Sequence, residues 1–342
     1  MVDPGVRAPA TPTYGLVVPH FGAYASRRNL LDGALAAEAY GFDSLWVRDH
    51  LLYAPAKHED PDATHLETFV TLSAIAAVTE RISLGTATLI PHRHPVLSAM
   101  MLGSLDAIAG PGRIIAGWGI GSHDREFGIV GMEGWDRREV LSEQVQIIRQ
   151  LLSGEPLSFE GRYYKLDNIQ LRPVPGMGRS IPMWYGGASV AAVRRAVAGF
   201  DGWIGARIPR RDLRARVQRM GELSEAAGRE PPEVGVIPYV SPARDRQEAM
   251  RSIDLAALLA DTARRYKPPL NRTFETVDDL DGAVIAGPAQ EIIEGVRRYQ
   301  AAGAQHVVLD MRLRFERWLQ AVQLVGEQVL PDLRRGDIRD PS

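Results

Sequence analysis

From Tyr14 onward the chain alternates short apolar runs with longer stretches in which apolar residues recur every three or four positions. Short apolar runs bounded by turn residues predict buried strands, and the three-to-four spacing predicts amphipathic helices. Strands are predicted at residues 14–18, 44–47, 81–88, 113–117, 181–185, 202–204, 234–239 and 306–309. Helices are predicted between them. Leu31, Leu35 and Ala39 share one helical stripe that ends at Gly41, residues 66–78, 95–108 and 137–152 carry similar stripes, and weaker ones centre on Val190, Leu213, Gln247, Ala289 and Phe315.

Eight strands, each followed by a helix, predict a parallel sheet closed into a single (β/α)8 TIM barrel, the α/β class. Pro4, Pro9 and Pro12 mark residues 1–13 as a loose tail, 14–331 form the barrel domain, and 332–342 form a C-terminal tail. Glu160-Gly161 between apolar and aromatic residues predicts a small hairpin after the helix that follows strand four. The stretch 266–286, rich in Pro, Asp and Thr, breaks the rhythm and reads as a lid-like insertion outside the core. No other large insertion is expected after strand seven.

The stretch GFDSLWVRDH, residues 41–50, ends an apolar strand in Arg48, Asp49 and His50. In a parallel barrel, residues that follow the strands emerge together on the face where such barrels do chemistry. Seven of the eight histidines fall after strands: His20, His50, His58, His65, His92, His94 and His123; only His306 begins one. His58 and His65 lie in a long acidic loop expected to be solvated. His50 is the candidate for proton transfer, with Asp49 as the neighbouring acid, although successive strand residues point oppositely and the two need not touch. Arg48 either reaches the mouth or forms an ordinary ion pair.

Two glycine clusters follow strands. Gly117-Trp118-Gly119-Ile120-Gly121 lacks the third glycine and the helix start of a dinucleotide fingerprint, and reads as a place where backbone approaches a flat ligand. Trp118 either stacks on that ligand or fills the barrel. Tyr185-Gly186-Gly187-Ala188-Ser189 leads into a helix: it is either an anion site at a positive helix terminus or a tight turn capped by Ser189. His92 and His94, two apart, open a different reading, a metal-dependent barrel hydrolase.

Composition narrows the class. With 40 basic and 42 acidic residues in 342 and a formal net charge of -2, the chain has no polyelectrolyte character, so nucleic acid is not an expected partner. The absence of cysteine rules out disulfides and thiolate sites. No signal-peptide pattern or membrane-length apolar run is present, and a cytoplasmic enzyme is expected.

Taken in order, Ala37-Glu38-Ala39-Tyr40-Gly41-Phe42-Asp43-Ser44-Leu45-Trp46, Asp49-His50, Leu84-Gly85-Thr86-Ala87-Thr88, His94-Pro95, Gly112-Arg113, Trp184-Tyr185-Gly186-Gly187 and Asp201-Gly202-Trp203 resemble the luciferase-like family of flavin- and deazaflavin-dependent oxidoreductases. Residues 307–330 resemble its closing strand and helix. The resemblance implies a flavin-type ring at the barrel mouth, either coenzyme F-420, an 8-hydroxy-5-deazaflavin, or FMN. It also implies a bulge with a non-prolyl cis peptide at or beside Ala87-Thr88, and a cofactor phosphate near Gly186 to Ser189. Asp49, Ala87, Thr88, Gly119, Ile120, His123, Tyr185, Gly186, Gly187 and Ala188 become expected cofactor contacts, and His50 with Asp49 the catalytic pair. No metal ligand is implied.

Two departures stand out. Ser122 occupies the place of a glutamate in the deazaflavin sugar-phosphate dehydrogenases, and Ile120 that of a phosphate-contacting arginine in bacterial luciferase. The Asp-His pair after strand two resembles the deazaflavin branch, and only three of the forty basic residues are lysine (Lys57, Lys165, Lys267), a coding bias common where deazaflavin is made. The favoured activity is therefore deazaflavin-dependent hydride transfer to or from a small organic substrate. The alternatives are a reduced-FMN monooxygenase fed by a separate reductase, the metal hydrolase, and a non-catalytic flavin sensor. Trp118, Trp135, Tyr53 and Phe127 are expected to form an apolar substrate pocket. A homo-oligomer through the helices after strands two and three is expected from the family.

Overall fold

The computed structural model describes residues 11–176, 180–268 and 273–336. Eight parallel strands close into one barrel: β1 (Thr13–Val17), β2 (Ser44–Val47), β3 (Ser83–Thr86), β4 (Ile114–Trp118), β7 (Met183–Gly186), β8 (Gly202–Ala206), β9 (Glu233–Ile237) and β12 (His306–Leu309). Strand β1 pairs with both β2 and β12, which closes the ring. Among the described residues four further strands lie outside it: β5 (Leu157–Glu160) and β6 (Lys165–Ile169) form the expected hairpin, and β10 (Tyr239–Pro242) pairs in parallel with β11 (Val284–Gly287).

The barrel is filled by matching large side chains to glycines. A Cβ on Gly85 would lie 2.5 Å from the Trp46 ring, and Cβ atoms on Gly202 and Gly235 would lie 2.4 and 2.6 Å from Trp184. Each tryptophan thus occupies the space that its neighbouring strands leave open. Overpacking such a site costs about 1–3 kcal/mol. Beneath them Ser44 Oγ accepts from Trp46 Nε1 at 2.8 Å and lies 2.9 Å from His306 Nε2. Burial pushes His306 down to about 4, so the ring at the barrel floor is neutral at pH 7.

Several family-like residues hold the frame. Asp43 accepts the Tyr14 amide at 2.7 Å and Asp201 the Met183 amide at 2.8 Å, so each acid at a strand entrance fixes the adjacent strand. Glu38, from α1 (Arg27–Tyr40), accepts the amides of Arg81 and Ile82. The Arg113 guanidinium donates to the Thr79, Ile82 and Ala109 carbonyls. These bonds set the register of β1 to β4 and hence where their ends emerge.

Helices α2 (Thr68–Ala76) and α3 (Pro95–Ala109) follow β2 and β3. Short α4 (Asp124–Ile129) and long α5 (Arg137–Ser153) follow β4. Beyond these, α6 (Val190–Gly199) and α7 (Arg210–Ala226) complete their units, and α8 (Arg246–Met250), α9 (Leu255–Arg265), α10 (Ala289–Gln300), α11 (Trp318–Gln328) and α12 (Leu330–Gly336) finish the chain.

Three sequence expectations need correction here. Residues 277–286 are core, not lid: Val277, Leu280, Ala283, Val284 and Ile285 are buried, and with Tyr239, Ala249 and Leu258 most of them form a second small core. A substantial insertion does follow strand seven, because β10, α8, α9 and β11 intervene before α10. Regular structure also continues past 331, through α12 to Gly336. Residues 1–10, 269–272 and 337–342 of the expected tails and lid lie outside the described residues. Among the described residues no helix is long and apolar enough to cross a membrane.

Candidate active site

A cavity of about 990 Å³ opens at the C-terminal ends of the barrel strands. One wall is nearly free of side chains. Ala87, Thr88, Gly119, Ile120, Gly186, Gly187 and Ala188 line it. The Ala87–Thr88 peptide is cis, where the sequence reading placed it, and β3 ends there in a bulge that rejoins β4 through Leu89 N–H to Gly117 O and Gly119 N–H to Leu89 O. The space is tight: a Cβ on Gly119 would lie 2.3 Å from Thr88 Oγ1, and one on Gly186 2.3 Å from Thr88 Cγ2. Only glycines let these three stretches converge into a smooth surface.

At one edge of this wall is the first turn of α6. Ser189 caps it by accepting the Ala192 amide at 3.1 Å, and Gly187 has φ 141°, a conformation that L side chains avoid. Arg216 of α7 donates through Nε to the Ala188 carbonyl and lines the cavity beside it. A helix N-terminus plus a guanidinium suits a phosphate. A flat aromatic ring with a phosphate tail fits these walls. Tyr185 is a correction: its ring lies behind the sheet, 5.1 Å from Phe200 and with its hydroxyl against Arg195, and does not reach the cavity.

At the opposite edge the histidines converge. His20, His65, His50 and His123 form a chain of ring contacts with centroid separations of 5.0, 5.8 and 5.3 Å. His58 and His65 are therefore not in a solvated loop; His58 is buried and bonds Tyr239 Oη at 3.1 Å. Burial, His50 and Arg48 together push His65 down to about 4.

The acid that meets His50 is Glu126, not Asp49. Glu126 is fully buried; its carboxylate lies 3.3 Å from His50 Nδ1 and accepts the Leu51 and Leu52 amides at 2.7 and 3.0 Å. It stands on α4, whose first turn faces the end of β2. Burial first, then the nearby Arg48 charge, lower the His50 pKa against the opposing pull of Glu126, so His50 is neutral at pH 7. Sequence reading missed Glu126 because it sits 76 residues away; its one signal was an acid three residues after His123.

Asp49 is committed elsewhere. Both oxygens take the Arg93 guanidinium, at 2.6 and 2.8 Å, while the Ile90 amide and Thr68 hydroxyl add bonds at 2.9 and 3.0 Å. Burial alone would raise this carboxyl, but Arg93 outweighs it and holds it below the ordinary range. Asp49 thus ties the end of β2 to the chain just after the bulge. Asp49 also lines the cavity, at the place where a cofactor contact is expected.

His92 and His94 do not make a metal pair. His92 packs 3.8 Å from Asp49, whereas His94 caps α3 and turns its ring onto Tyr164. The aromatic pocket is also corrected: Trp118, Tyr53 and Phe127 are buried and Trp135 packs on Tyr163, none of them lining the cavity. Trp118 fills the barrel.

Charged residues form the remaining wall. Arg48, Lys57, His58, Glu59, Arg207, Tyr239, Asp310 and Arg312 line it. Arg312 pairs with Asp310 and Glu59, and Arg48 lies 3.8 Å from Glu59. Burial opposes ionisation of Glu59, yet Arg312 and Arg48 hold it well below the carboxylate range. Arg207, at φ 55°, donates to Tyr239 Oη at 2.7 Å but leaves Nε without an acceptor, as does Arg48 Nη1. Arg48 and Arg207 both line the cavity, and positive charge on its wall suits a ligand's oxygens.

Known proteins fit this geometry. The model of the luciferase-like monooxygenase family matches residues 6–306, and the chain belongs to that family. It is 31% identical over 321 residues to an F-420-dependent glucose-6-phosphate dehydrogenase of Nakamurella multipartita, covering 89% of this chain and 92% of the relative. The coenzyme F-420-dependent tetrahydromethanopterin reductase of Methanopyrus kandleri superposes with a TM-score of 0.78 at 21% identity, over 95% of this chain and 100% of the other. The oxygenating constituent of 3,6-diketocamphane monooxygenase from Pseudomonas putida, in complex with FMN, gives 0.74 at 20% identity, over 95% and 99%.

Proposed function

We propose that this chain is a deazaflavin-dependent oxidoreductase that moves hydride between coenzyme F-420 and a hydroxyl or carbonyl carbon of an anionic organic substrate. The carrying observation is His50, paired through Nδ1 with buried Glu126 at the edge of a cavity whose opposite wall is glycine, alanine and threonine. A bound deazaflavin supplies the hydride acceptor or donor.

The protein's part follows from its own groups. Glu126 accepts the His50 Nδ1 proton and so leaves the lone pair on Nε2, the form that takes a proton from a substrate hydroxyl. Asp49 and Arg93 fix the β2 end that carries His50, and Ala87, Thr88, Gly119 and Gly186 would hold the ring flat. Arg216 and the first turn of α6 would hold its phosphate. Arg207 and Arg48 would take the substrate's anionic group, since both line the cavity and carry positive charge there. The favoured substrate is therefore anionic, not aromatic.

A reduced-FMN monooxygenase served by a separate reductase uses the same wall. Anaerobic titration with F-420 and FMN separates the two: tighter F-420 binding with hydride exchange supports the proposal, and exclusive FMN binding with oxygen consumption sinks it. Within the proposal, His50→Ala lowers turnover about 100-fold or more with cofactor affinity little changed. The exposed apolar side chains Val70 on α2 and Leu97, Met100 and Ile108 on α3 support a homo-oligomer through these helices, which solution mass tests.

A further inference from the structure

Glu126, His50 and His123 offer a carboxylate oxygen and two ring nitrogens that all lie within 4.8 Å of one another. Their spacing suits a ligand set as well as the hydrogen bond between His50 and Glu126. Zinc binds histidine nitrogen and carboxylate oxygen at about 2.0–2.2 Å, so two ligands of a tetrahedral ion stand about 3.4 Å apart. His50 Nδ1 is 3.4 Å from Glu126 Oε2, and His123 Nδ1 is 3.7 Å from the same oxygen. The remaining edge, between the two histidines, is within 4.8 Å, and the His123 side chain is 43% exposed, which leaves its ring room to turn toward His50. The other carboxylate oxygen is already held by the Leu51 and Leu52 amides, which orients Oε2 as ligating carboxylates are oriented by outer partners. His50 and His123 both line the cavity.

We propose that His50, His123 and Glu126 bind a divalent first-row transition-metal ion, zinc above all, and that its binding switches the active site off. The mechanism is a change of tautomer. A metal on His50 Nδ1 takes the place of the proton that Glu126 accepts, and the neutral ring must then carry its proton on Nε2. The atom that would accept a substrate proton becomes a donor. The charge balance permits this, since Glu126 supplies one negative charge and Arg48, the cation acting on His50, lies 3.8 Å from Glu59. Two nitrogens and one oxygen disfavour magnesium and calcium, which take mostly oxygen ligands. The metal site stands on geometry alone; only the inhibition rests on the proton role assigned to His50.

The test is cobalt(II) titration of tag-free, cofactor-free protein, followed by the visible absorption of tetrahedral cobalt and its displacement by zinc. One equivalent is expected to bind, zinc to displace it, and magnesium to leave the signal unchanged. His123→Ala, at an exposed side chain, tests the site without disturbing the core, with circular dichroism as the folding check; cobalt affinity falls at least about tenfold. Glu126→Gln is expected to do the same. Absence of the signal in folded wild-type protein, or equal affinity in folded His123→Ala, overturns the site. If cobalt binds as expected but zinc leaves turnover of the cofactor-loaded enzyme unchanged, the switch is overturned. Because binding is read without cofactor or substrate, a wrong oxidoreductase assignment leaves the cobalt result standing, and loss of the cobalt site leaves hydride transfer untouched.

Discussion

His50, just after β2, and Glu126, on α4, meet at the barrel mouth with Nδ1 3.3 Å from the buried carboxylate. This contact fixes which ring nitrogen stays free, so it governs the competence of the proposed base more than its basicity.

Glu126→Gln should therefore lower turnover about tenfold to a hundredfold. Its effect on pH is the informative readout. Glu126 raises the His50 pKa, so its loss lets burial and Arg48 lower that pKa further, and the acid limb of kcat/KM moves to lower pH. A limb that moves to higher pH removes Glu126 from this role.

Replacing Arg48 should act in the opposite sense. The Arg48 charge depresses His50, and Arg48→Met is expected to raise the pKa, so activity begins to fall at a higher pH on acidification. Full pH profiles of the two variants side by side check both signs.

Gly119→Ala puts a Cβ against Thr88 Oγ1 and should roughen the ring wall, weakening cofactor binding about tenfold or more. Adding Thr88→Ala removes the clashing hydroxyl and should recover part of the loss. Purely additive affinities in a double-mutant cycle would show that the two residues do not share this surface.

Arg207→Gln should raise KM for an anionic substrate about tenfold to a hundredfold while turnover at saturation changes little. A neutral analogue should show no such change. Steady-state kinetics on the pair measures the difference.

Acid stability follows from the barrel floor. The unfolded His306 takes up a proton near its ordinary value of 6.5, whereas the folded ring does so only near 4, so the unfolded state binds more protons between these values. Stability is accordingly lost as pH falls from about 6.5 toward 4, by on the order of 3 kcal/mol from this residue. His306→Gln should flatten that part of a denaturation-versus-pH curve relative to the parent.

The barrel strands were legible because each is a short apolar run between turn residues, and parallel pairing buries both faces. The glycine wall was legible through family-like motifs. What escaped was whatever depends on distant pairing. Glu126 is an ordinary helix-start acid until the fold sets it under Leu51 and Leu52, and Asp49 looks catalytic until Arg93 closes on it. Tyr185 shares a motif with Gly186 yet faces the other side, as strand alternation requires. The β10 and β11 segment was misread because Pro and Asp punctuate it, while its apolar residues are too few to show a period.

That segment makes the enzyme modular in a practical sense. Tyr239 and Asp261 reach the cavity from a unit with its own small core, whereas the cofactor wall belongs to the barrel. Changes in substrate selectivity introduced there should combine freely with the hydride chemistry. The stretch 239–287 is thus a natural cassette for grafting between relatives, with the barrel left as a constant chassis.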